Sequence, residues 1–154
     1  MTDKKELRVV LDSVVAVSAF LTDGLTAELV SECQDCVTLY SAEEILNVIR
    51  NVLLEKPHIR NRYTYTIEEV EIFLNYLKDI SIIVAKLPEV RAIERDPKDD
   101  IIIACAVTVS ANYIVSRDRD LLDLGSYENI QIVPPEEFIH ILRIEREHIE
   151  NQNR

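Results

Sequence analysis

The sequence contains no apolar run of about 18 residues, which is the length that a helix needs to cross a bilayer. Its first residues, MTDKKELR, carry charges, but no hydrophobic segment follows them as it would in an export signal. We therefore expect a cytoplasmic protein that makes no use of a membrane.

Cysteine is also scarce. Three cysteines, an odd number in a chain without an export signal, argue against a disulfide framework. Cys33 and Cys36 form one CxxC pair, but a zinc site would need a second pair of Cys or His ligands. A redox CxxC usually begins a helix after a strand, whereas this pair falls where a helix is predicted to end. The pattern favours two ordinary cysteines.

Basic residues are outnumbered. The chain has 17 Lys and Arg residues against 28 Asp and Glu, which gives a formal net charge of -11. Phosphate neutralisation by Lys and Arg dominates the affinity of proteins for nucleic acids, so the charge argues against binding through a broad basic surface. The negative net charge does not exclude an enzyme whose acids bind metal cations, because such an enzyme would bind a polyanion through the metal and a few local arginines.

Short β-branched runs alternate with segments of helical spacing, which predicts strands separated by helices. Right-handed crossovers join such strands into a parallel sheet with helices on both faces. We expect a three-layer α/β/α sandwich around a parallel sheet of about five strands, in one domain with a core over residues 7–142 and a charged helix end at 143–154. The predicted strands span residues 7–11, 36–40, 80–85, 112–116 and 130–133.

Sequence signals mark several helix starts. Residues 41–44 (SAEE) and 66–69 (TIEE) match the capping-box pattern, which predicts that a hydroxyl and a glutamate satisfy backbone N–H groups there. Asp96 is the expected N-cap of another helix, with Pro97 in its first turn. The last helix follows the prolines at 134–135, and its second half is charged, so we expect that end to fray or to meet a partner.

Acidic residues recur where the predicted strands end. In an open parallel sheet, ligands bind outside the carboxyl ends of the strands, so acids placed there converge. Converging carboxylates repel one another, and Mg²⁺ or Mn²⁺, which prefer oxygen ligands, would resolve the repulsion. Such a site can polarise a phosphoryl oxygen and activate water for attack on a phosphodiester. The acids are Asp12 after the first strand, Glu43 and Glu44 after the second, Asp96, Asp99 and Asp100 after the third, and Asp118 and Asp120 after the fourth.

Most of these acids also have a simpler explanation. Asp96 and Asp118 are good N-caps, Glu44 completes a capping box, and acids in the first turn of a helix complement its dipole. Asp12 is different, because it lies in the apolar run RVVLDSVVAVSA, where an ionised carboxylate without partners is costly. Asp12 is therefore the strongest single indication of a site.

Three motifs of the chain resemble those of the PIN-domain nucleases, in the branch of toxins from bacterial and archaeal toxin-antitoxin systems. VLDSVVAVS resembles the family's V-L-D-T-N-x-x-x-S, RDPKDDIIIACA resembles R-D-P-x-D-D-x-x-x-A-x-A, and ANYIVSRDRDLL resembles A-D-Y-x-V-T-x-D-x-D-L-L. The match runs from Leu7 to Ile141. The resemblance implies Mg²⁺- or Mn²⁺-dependent cleavage of single-stranded RNA, a cognate antitoxin that holds this activity in check, and self-association as a homodimer.

The resemblance also implies roles for residues at matching positions. Ser116 takes the family's Thr/Ser position and supports the site. The family's metal-binding aspartates match Asp12, Asp100 and Asp118. Acids that are frequent in this branch match Asp96, Asp99 and Asp120.

Arginines are the candidates for RNA contacts, although arginines beside acids are more often partners in surface ion pairs. Two follow the fourth strand and two lie in the basic and aromatic segment KPHIRNRYTY. They are Arg117, Arg119, Arg60 and Arg62.

Two positions depart from the family pattern. The family's Asn two residues after the first Asp is Val14 here, and its catalytic Glu on the helix after strand two is Val48. Glu44 lies one helical turn before Val48 on the same face and is the first candidate to complete the catalytic site, with Glu43 second. The alternative is a degenerate PIN domain with weak or no catalysis that serves as a binding or assembly module. A third hypothesis keeps only the fold, with acids that cap helices.

Overall fold

The computed structural model describes residues 7–89 and 97–153, without the side chains of Pro97 and Lys98. Across these residues six strands form one sheet in the order β3-β2-β1-β4-β6-β5. All neighbours are parallel except β5 and β6, which form an antiparallel hairpin. The strands are β1 (Arg8–Leu11), β2 (Thr38–Ala42), β3 (Ser81–Val84), β4 (Tyr113–Val115), β5 (Ser126–Tyr127) and β6 (Ile130–Val133).

The helices alternate with the strands along the chain, as the periodicity predicts. The helices are α1 (Ser13–Leu21), α2 (Leu25–Cys36), α3 (Glu43–Glu55), α4 (Pro57–Arg60), α5 (Ile67–Ile80), α6 (Pro97–Thr108), α7 (Arg119–Leu124) and α8 (Pro135–Gln152). None of those described is by itself long and apolar enough to cross a membrane, and α1 and α2 meet that criterion only as a pair bent by 111°.

Alternate residues of the sheet point to two separate cores, which confirms the three-layer sandwich. Val10 and Ile114, paired across β1 and β4, lie in a core built with α3, α5 and α6. Val9 and Val115 face the opposite side and pack with residues of α2 and α8. The parallel sheet is therefore covered on both faces, as expected for strands joined by helical crossovers.

Two sequence predictions around β2 are wrong. Cys36 ends α2 instead of opening a strand, so β2 begins at Thr38. The capping box at residues 41–44 does not form, because the N-cap of α3 is Ala42 and no side chain caps that helix. Ser41 remains in the sheet, where it pairs with Ile83 of β3. Sheet pairing has overridden the local capping signal at this position.

Other helix starts agree with the sequence. Both halves of the capping box at Thr66 and Glu69 are present at the start of α5. Pro97 opens α6, whereas the predicted N-cap Asp96 lies outside the described residues.

The charged second half of α8 is helical to Gln152 and packs against α2. Arg146 of α8 forms ion pairs with Glu32 and with Asp35, the latter at 3.8 Å. This end of α8 therefore meets a partner within the chain itself.

Candidate metal centre

The carboxyl ends of β1 and β4 lie side by side and place two polar residues together. Leu11 and Val115 are the last paired residues of these strands, and Asp12 and Ser116 follow directly. The backbone N–H of Asp12 continues the ladder by donating to the carbonyl of Val115 at 2.9 Å. Parallel pairing in this register therefore brings the two side chains to the same edge of the sheet.

Asp12 is 2% exposed, yet both oxygens of its carboxylate have partners. Ser116 Oγ donates to Oδ2 at 2.6 Å, and Ser13 Oγ donates to Oδ1 at 3.3 Å. Burial raises the pKa of Asp12, and the nearby charge of Asp118 adds to the rise, while the bonds from the two serines oppose it. The acid that stood out in the apolar run is thus held by hydroxyl groups beside a second carboxylate.

Ser116 links Asp12 to Asp118. Its hydroxyl is 0% exposed, donates to Asp12 and accepts from the backbone N–H of Asp118 at 2.9 Å. One side chain therefore sets the position of both acids, which agrees with the supporting role that the resemblance implies for Ser116.

Replacing Ser116 by alanine should lower the stability of the fold. Ser116→Ala leaves Asp12 Oδ2 and the N–H of Asp118 without this partner, and each such loss in a buried place costs about 1–3 kcal/mol. We expect urea unfolding to give a free energy of unfolding lower by about that amount. Ser116→Thr keeps the hydroxyl and is the matched control. An alanine variant as stable as the wild type would mean that the bridge carries no net stabilisation.

Asp118 caps α7 and also belongs to an acidic group. Its Oδ1 accepts from the backbone N–H groups of Asp120 and Leu121 at 2.9 and 3.2 Å, which confirms the N-cap interpretation. Together with Asp120 and Asp99 it forms a group in which one carboxylate oxygen of each residue lies within 4.8 Å of the others. We name Asp99, Asp118 and Asp120 the acidic group. Asp118 is therefore both the N-cap of α7 and a member of the acidic group.

Asp99 is the member of the acidic group that belongs to α6, the helix after β3. It lies in the first turn of α6 and is 4% exposed, while Asp118 and Asp120 are half-buried. Asp100 follows on the same turn, is half-buried and is not a member of the group. Successive side chains of an α-helix point about 100° apart, so Asp99 and Asp100 cannot share one direction.

The two glutamates at the start of α3 point to different neighbours. Glu43 forms an ion pair with Lys78 of α5, with Nζ and Oε1 at 3.5 Å. Glu44 lies near the buried Cys105 of α6, where burial first and then the charge of Glu44 raise the pKa of the thiol to about 12. Both glutamates are exposed. Glu44 is the one whose charge reaches α6, the helix that also carries Asp99.

The arginine candidates occupy two places. Arg117 lies between β4 and α7 and forms an ion pair with Glu136 of α8 at 2.6 Å, and Arg119 is exposed in the first turn of α7. Arg60 and Arg62 lie in α4 and just after it, at the other end of α3 from Glu44. We name the acidic edge the side of the sheet where β1 and β4 end and where Asp12 and the acidic group lie. Two of the arginines, Arg117 and Arg119, lie beside it, and the other two lie farther away.

Sequence reasoning named most of the polar side chains at this edge but missed Ser13. Its hydroxyl lies against the Asp12 carboxylate, and the signal available was a serine directly after the first acid. The resemblance to the family ranked Asp99 below Asp100, whereas Asp99 is the residue of α6 that joins the acidic group.

The donor set fits a hard divalent cation. The acidic group offers three carboxylate oxygens, and Asp12 lies beside it through Ser116 and Asp118. Carboxylates are the ligands that Mg²⁺ and Mn²⁺ prefer, and three such charges in close proximity repel one another when no cation is bound.

The fold and this edge define a class: an α/β sandwich with a mostly parallel sheet and aspartates gathered at the carboxyl ends of its strands. A family model described as PIN domain matches residues 8–120, and the chain belongs to this family. The matched region contains Asp12, Ser116 and the whole acidic group. PIN domains are generally nucleases that depend on divalent metals. Among curated proteins, none matches the chain.

Proposed function

We propose that this chain is a metal-dependent endoribonuclease that hydrolyses phosphodiesters of single-stranded RNA. The observation that carries the proposal is the acidic group, with its three carboxylate oxygens within 4.8 Å of one another. One of its members, Asp99, is nearly fully buried, where a charged carboxylate is costly unless a cation or hydrogen bonds compensate it.

The proposed ligands are Asp99, Asp118 and Asp120 of the acidic group, with Asp12 beside them. Asp100, which the family pattern also implies as a ligand, points in a different direction from Asp99 and lies outside this group. A bound Mg²⁺ or Mn²⁺ would polarise a phosphoryl oxygen and lower the pKa of a bound water.

The chain's own residues then have positioning roles. Ser116 holds the carboxylate of Asp12 and the backbone of Asp118 at fixed places, so that these acids need little rearrangement. Arg117 and Arg119, beside the acidic group, are the proposed contacts for the RNA phosphates. Glu44 is the proposed replacement for the family's glutamate, since Glu43 is engaged by Lys78.

A catalytically weak PIN domain is the second candidate, and Val14 favours it. This residue lies in the first turn of α1, two residues after Asp12, and is 49% exposed where the family has Asn. An apolar side chain here cannot bind water or a metal ligand as an amide would. Titration calorimetry separates the candidates: tight Mn²⁺ binding that Asp99→Asn removes supports a working centre, while absence of binding supports the binding or assembly module.

The test of the proposed function is cleavage of labelled single-stranded RNA by the purified chain. We expect cleavage with Mn²⁺ or Mg²⁺, none after removal of the metal with EDTA, and a loss of about tenfold or more in Asp120→Asn, since that change removes one charged ligand. Asp123→Asn, three residues along the same helix, makes the same change at an exposed position and should cleave as the wild type does. Equal rates in the two variants would contradict the proposed centre.

Other predictions go further than the family match. A toxin role with a cognate antitoxin and assembly as a homodimer rest on the resemblance, whereas a cytoplasmic location and a single domain over residues 1–154 rest on the length and composition of the sequence. Co-purification of a small DNA-binding protein encoded beside this chain would test the first of them.

A further inference from the structure

One segment of this acidic chain is basic. Residues 56–65, KPHIRNRYTY, contain three Lys or Arg residues and one His but no Asp or Glu, in a chain of net charge -11. The segment covers α4 and the turn that leads to α5, and we name it the basic segment. The positive charge is concentrated in this one segment, so an anion is attracted here although the chain as a whole is acidic.

Tyr65 fixes this segment to the body of the protein. Its hydroxyl donates to the backbone carbonyl of Leu53, near the end of α3, at 2.5 Å. Its ring meets the ring of Phe20, near the end of α1, edge to face with the centroids 5.1 Å apart. Two helices therefore hold the tyrosine in place, and whatever stacks on it is presented in a fixed position.

Two exposed arginines lie against tyrosine rings in the basic segment. The guanidinium carbon of Arg60 lies 5.0 Å from the centroid of the Tyr65 ring, and its Nη1 donates to the Tyr65 carbonyl at 3.3 Å. The guanidinium carbon of Arg62 lies 5.6 Å from the centroid of the Tyr63 ring. Such pairs orient a planar cation at little further entropic cost, because the guanidinium is already confined.

The basic segment and the acidic edge lie at opposite ends of the same two helices. α1 begins directly after Asp12 and carries Phe20 near its end, and α3 begins with Glu43 and Glu44 and leads to α4. α1 and α3 pack against each other. From their lengths of 9 and 13 residues, the two ends are about 13 to 20 Å apart along the helix axes.

We propose that the basic segment is a second contact surface for single-stranded RNA, with Arg60 and Arg62 as its phosphate- and base-binding side chains. The inference rests on the proposed function, because it assigns the segment to a strand whose scissile bond lies at the acidic edge. An RNA of several nucleotides reaches both places, whereas a dinucleotide reaches only one. The surface thus makes binding depend on the length of the strand.

Nucleic acid fits this surface better than an acidic protein does. A guanidinium plane backed by a tyrosine ring stacks on unpaired bases and binds phosphate in a bidentate manner. A carboxylate also binds a guanidinium in a bidentate manner, but it has no base to stack on the guanidinium plane, so an acidic protein uses only part of this arrangement. In a duplex the base faces are covered by stacking on neighbouring base pairs, so the surface favours a single strand over a duplex.

The experiment measures binding of a fluorescent single-stranded RNA of about 16 nucleotides, long enough to span both places, by anisotropy in EDTA. Without a metal the acidic edge repels phosphate, so the basic segment supplies the affinity. We expect Arg60→Ala/Arg62→Ala to lower the affinity about tenfold or more and to make the salt dependence shallower by about 1.4 in the log-log slope, since two phosphate contacts are lost. Lys86→Ala/Arg143→Ala removes two exposed charges elsewhere and should change neither value.

A second pair of variants keeps the charge. Arg60→Lys/Arg62→Lys should bind the RNA more weakly than the wild type while keeping its salt dependence, because lysine retains the cation and loses the plane. Thermal melting of each variant shows whether it is folded. Lysine variants that bind as the wild type does, or a polyglutamate peptide that competes as well as RNA, would overturn the assignment to RNA in favour of a general anion or acidic-protein surface.

Failure of this inference differs from failure of the proposed function. If cleavage needs Mn²⁺ and the acidic group but the alanine variants bind RNA as the wild type does, the basic segment is not an RNA surface. If the chain never cleaves RNA yet the alanine variants lose RNA affinity, the surface exists without the nuclease. When both hold, the alanine variants should lower kcat/KM for the long RNA and leave a dinucleotide unaffected.

Discussion

Asp118→Asn should reduce RNA cleavage at least about a hundredfold, because a cation that stabilises transition-state charge supplies several kcal/mol of catalysis. Asp118 is the residue on which the family pattern and the geometry agree, since it matches a metal-binding aspartate and belongs to the acidic group. Asparagine has nearly the same shape and keeps an oxygen that can accept from the N–H groups of Asp120 and Leu121. The cap of α7 should therefore survive while the charge is lost.

Thermal melting gives this prediction a second measurement that does not depend on activity. A ligand present at 100 times its Kd stabilises a fold by about 2.7 kcal/mol, and about 2–4 °C of Tm corresponds to each kcal/mol in a chain of this size. We expect Mn²⁺ to raise the Tm of the wild type by several degrees and to leave Asp118→Asn unchanged. Without metal the variant should be no less stable than the wild type, because one repelling charge has been removed.

Asp123→Asn is the control for both measurements, since it lies on the same helix and outside the acidic group. It should respond to Mn²⁺ and cleave RNA as the wild type does. Cleavage by Asp118→Asn at the wild-type rate would remove the acidic group from the mechanism. A Tm that Mn²⁺ raises equally in both variants would place the metal elsewhere.

Phe138→Ala should cost about 3–5 kcal/mol of stability, the range for a fully buried phenylalanine. Phe138 belongs to α8, which lies beyond the region that the PIN family matches. Its ring meets that of Tyr113 with centroids 5.4 Å apart, in the core that contains Val9 and Val115. Val9 and Val115 belong to β1 and β4, which are followed directly by Asp12 and Ser116, so α8 supports the sheet from which the site is built.

Urea unfolding measures this cost, and Ile144→Ala is the control on the same helix. Ile144 is 69% exposed, and substitutions at such positions usually change stability by less than about 0.5 kcal/mol. If the two variants were equally stable, α8 would not be packed on the sheet in solution. We also expect Phe138→Ala to retain metal binding while it is folded, because the ring packs in the apolar core and the acids of the site are left in place.

Local sequence signals correctly predicted most strands and two helix caps, which depend on residues close together in the chain. Alternating periodicities predicted five of the six strands in the described part of the chain, the capping box at Thr66 formed, and Asp118 caps α7 as its type and place suggest. The antiparallel β5 was not predicted, since two residues, Ser126 and Tyr127, are too short to show a period. The same signals failed at Ser41, whose pairing with Ile83 in the sheet prevents a cap.

By itself, the sequence determined that this chain forms a parallel α/β sheet with acids after its strands, because side-chain periodicity and strand ends are properties of nearby residues. Only the tertiary structure decided which acids meet. The register of β1 against β4 joins Asp12 to Asp118 through Ser116, and the orientation of α6 turns Asp99 instead of Asp100 into the acidic group. These contacts join residues far apart in the chain, so they depend on how helices pack on the sheet and leave no local pattern.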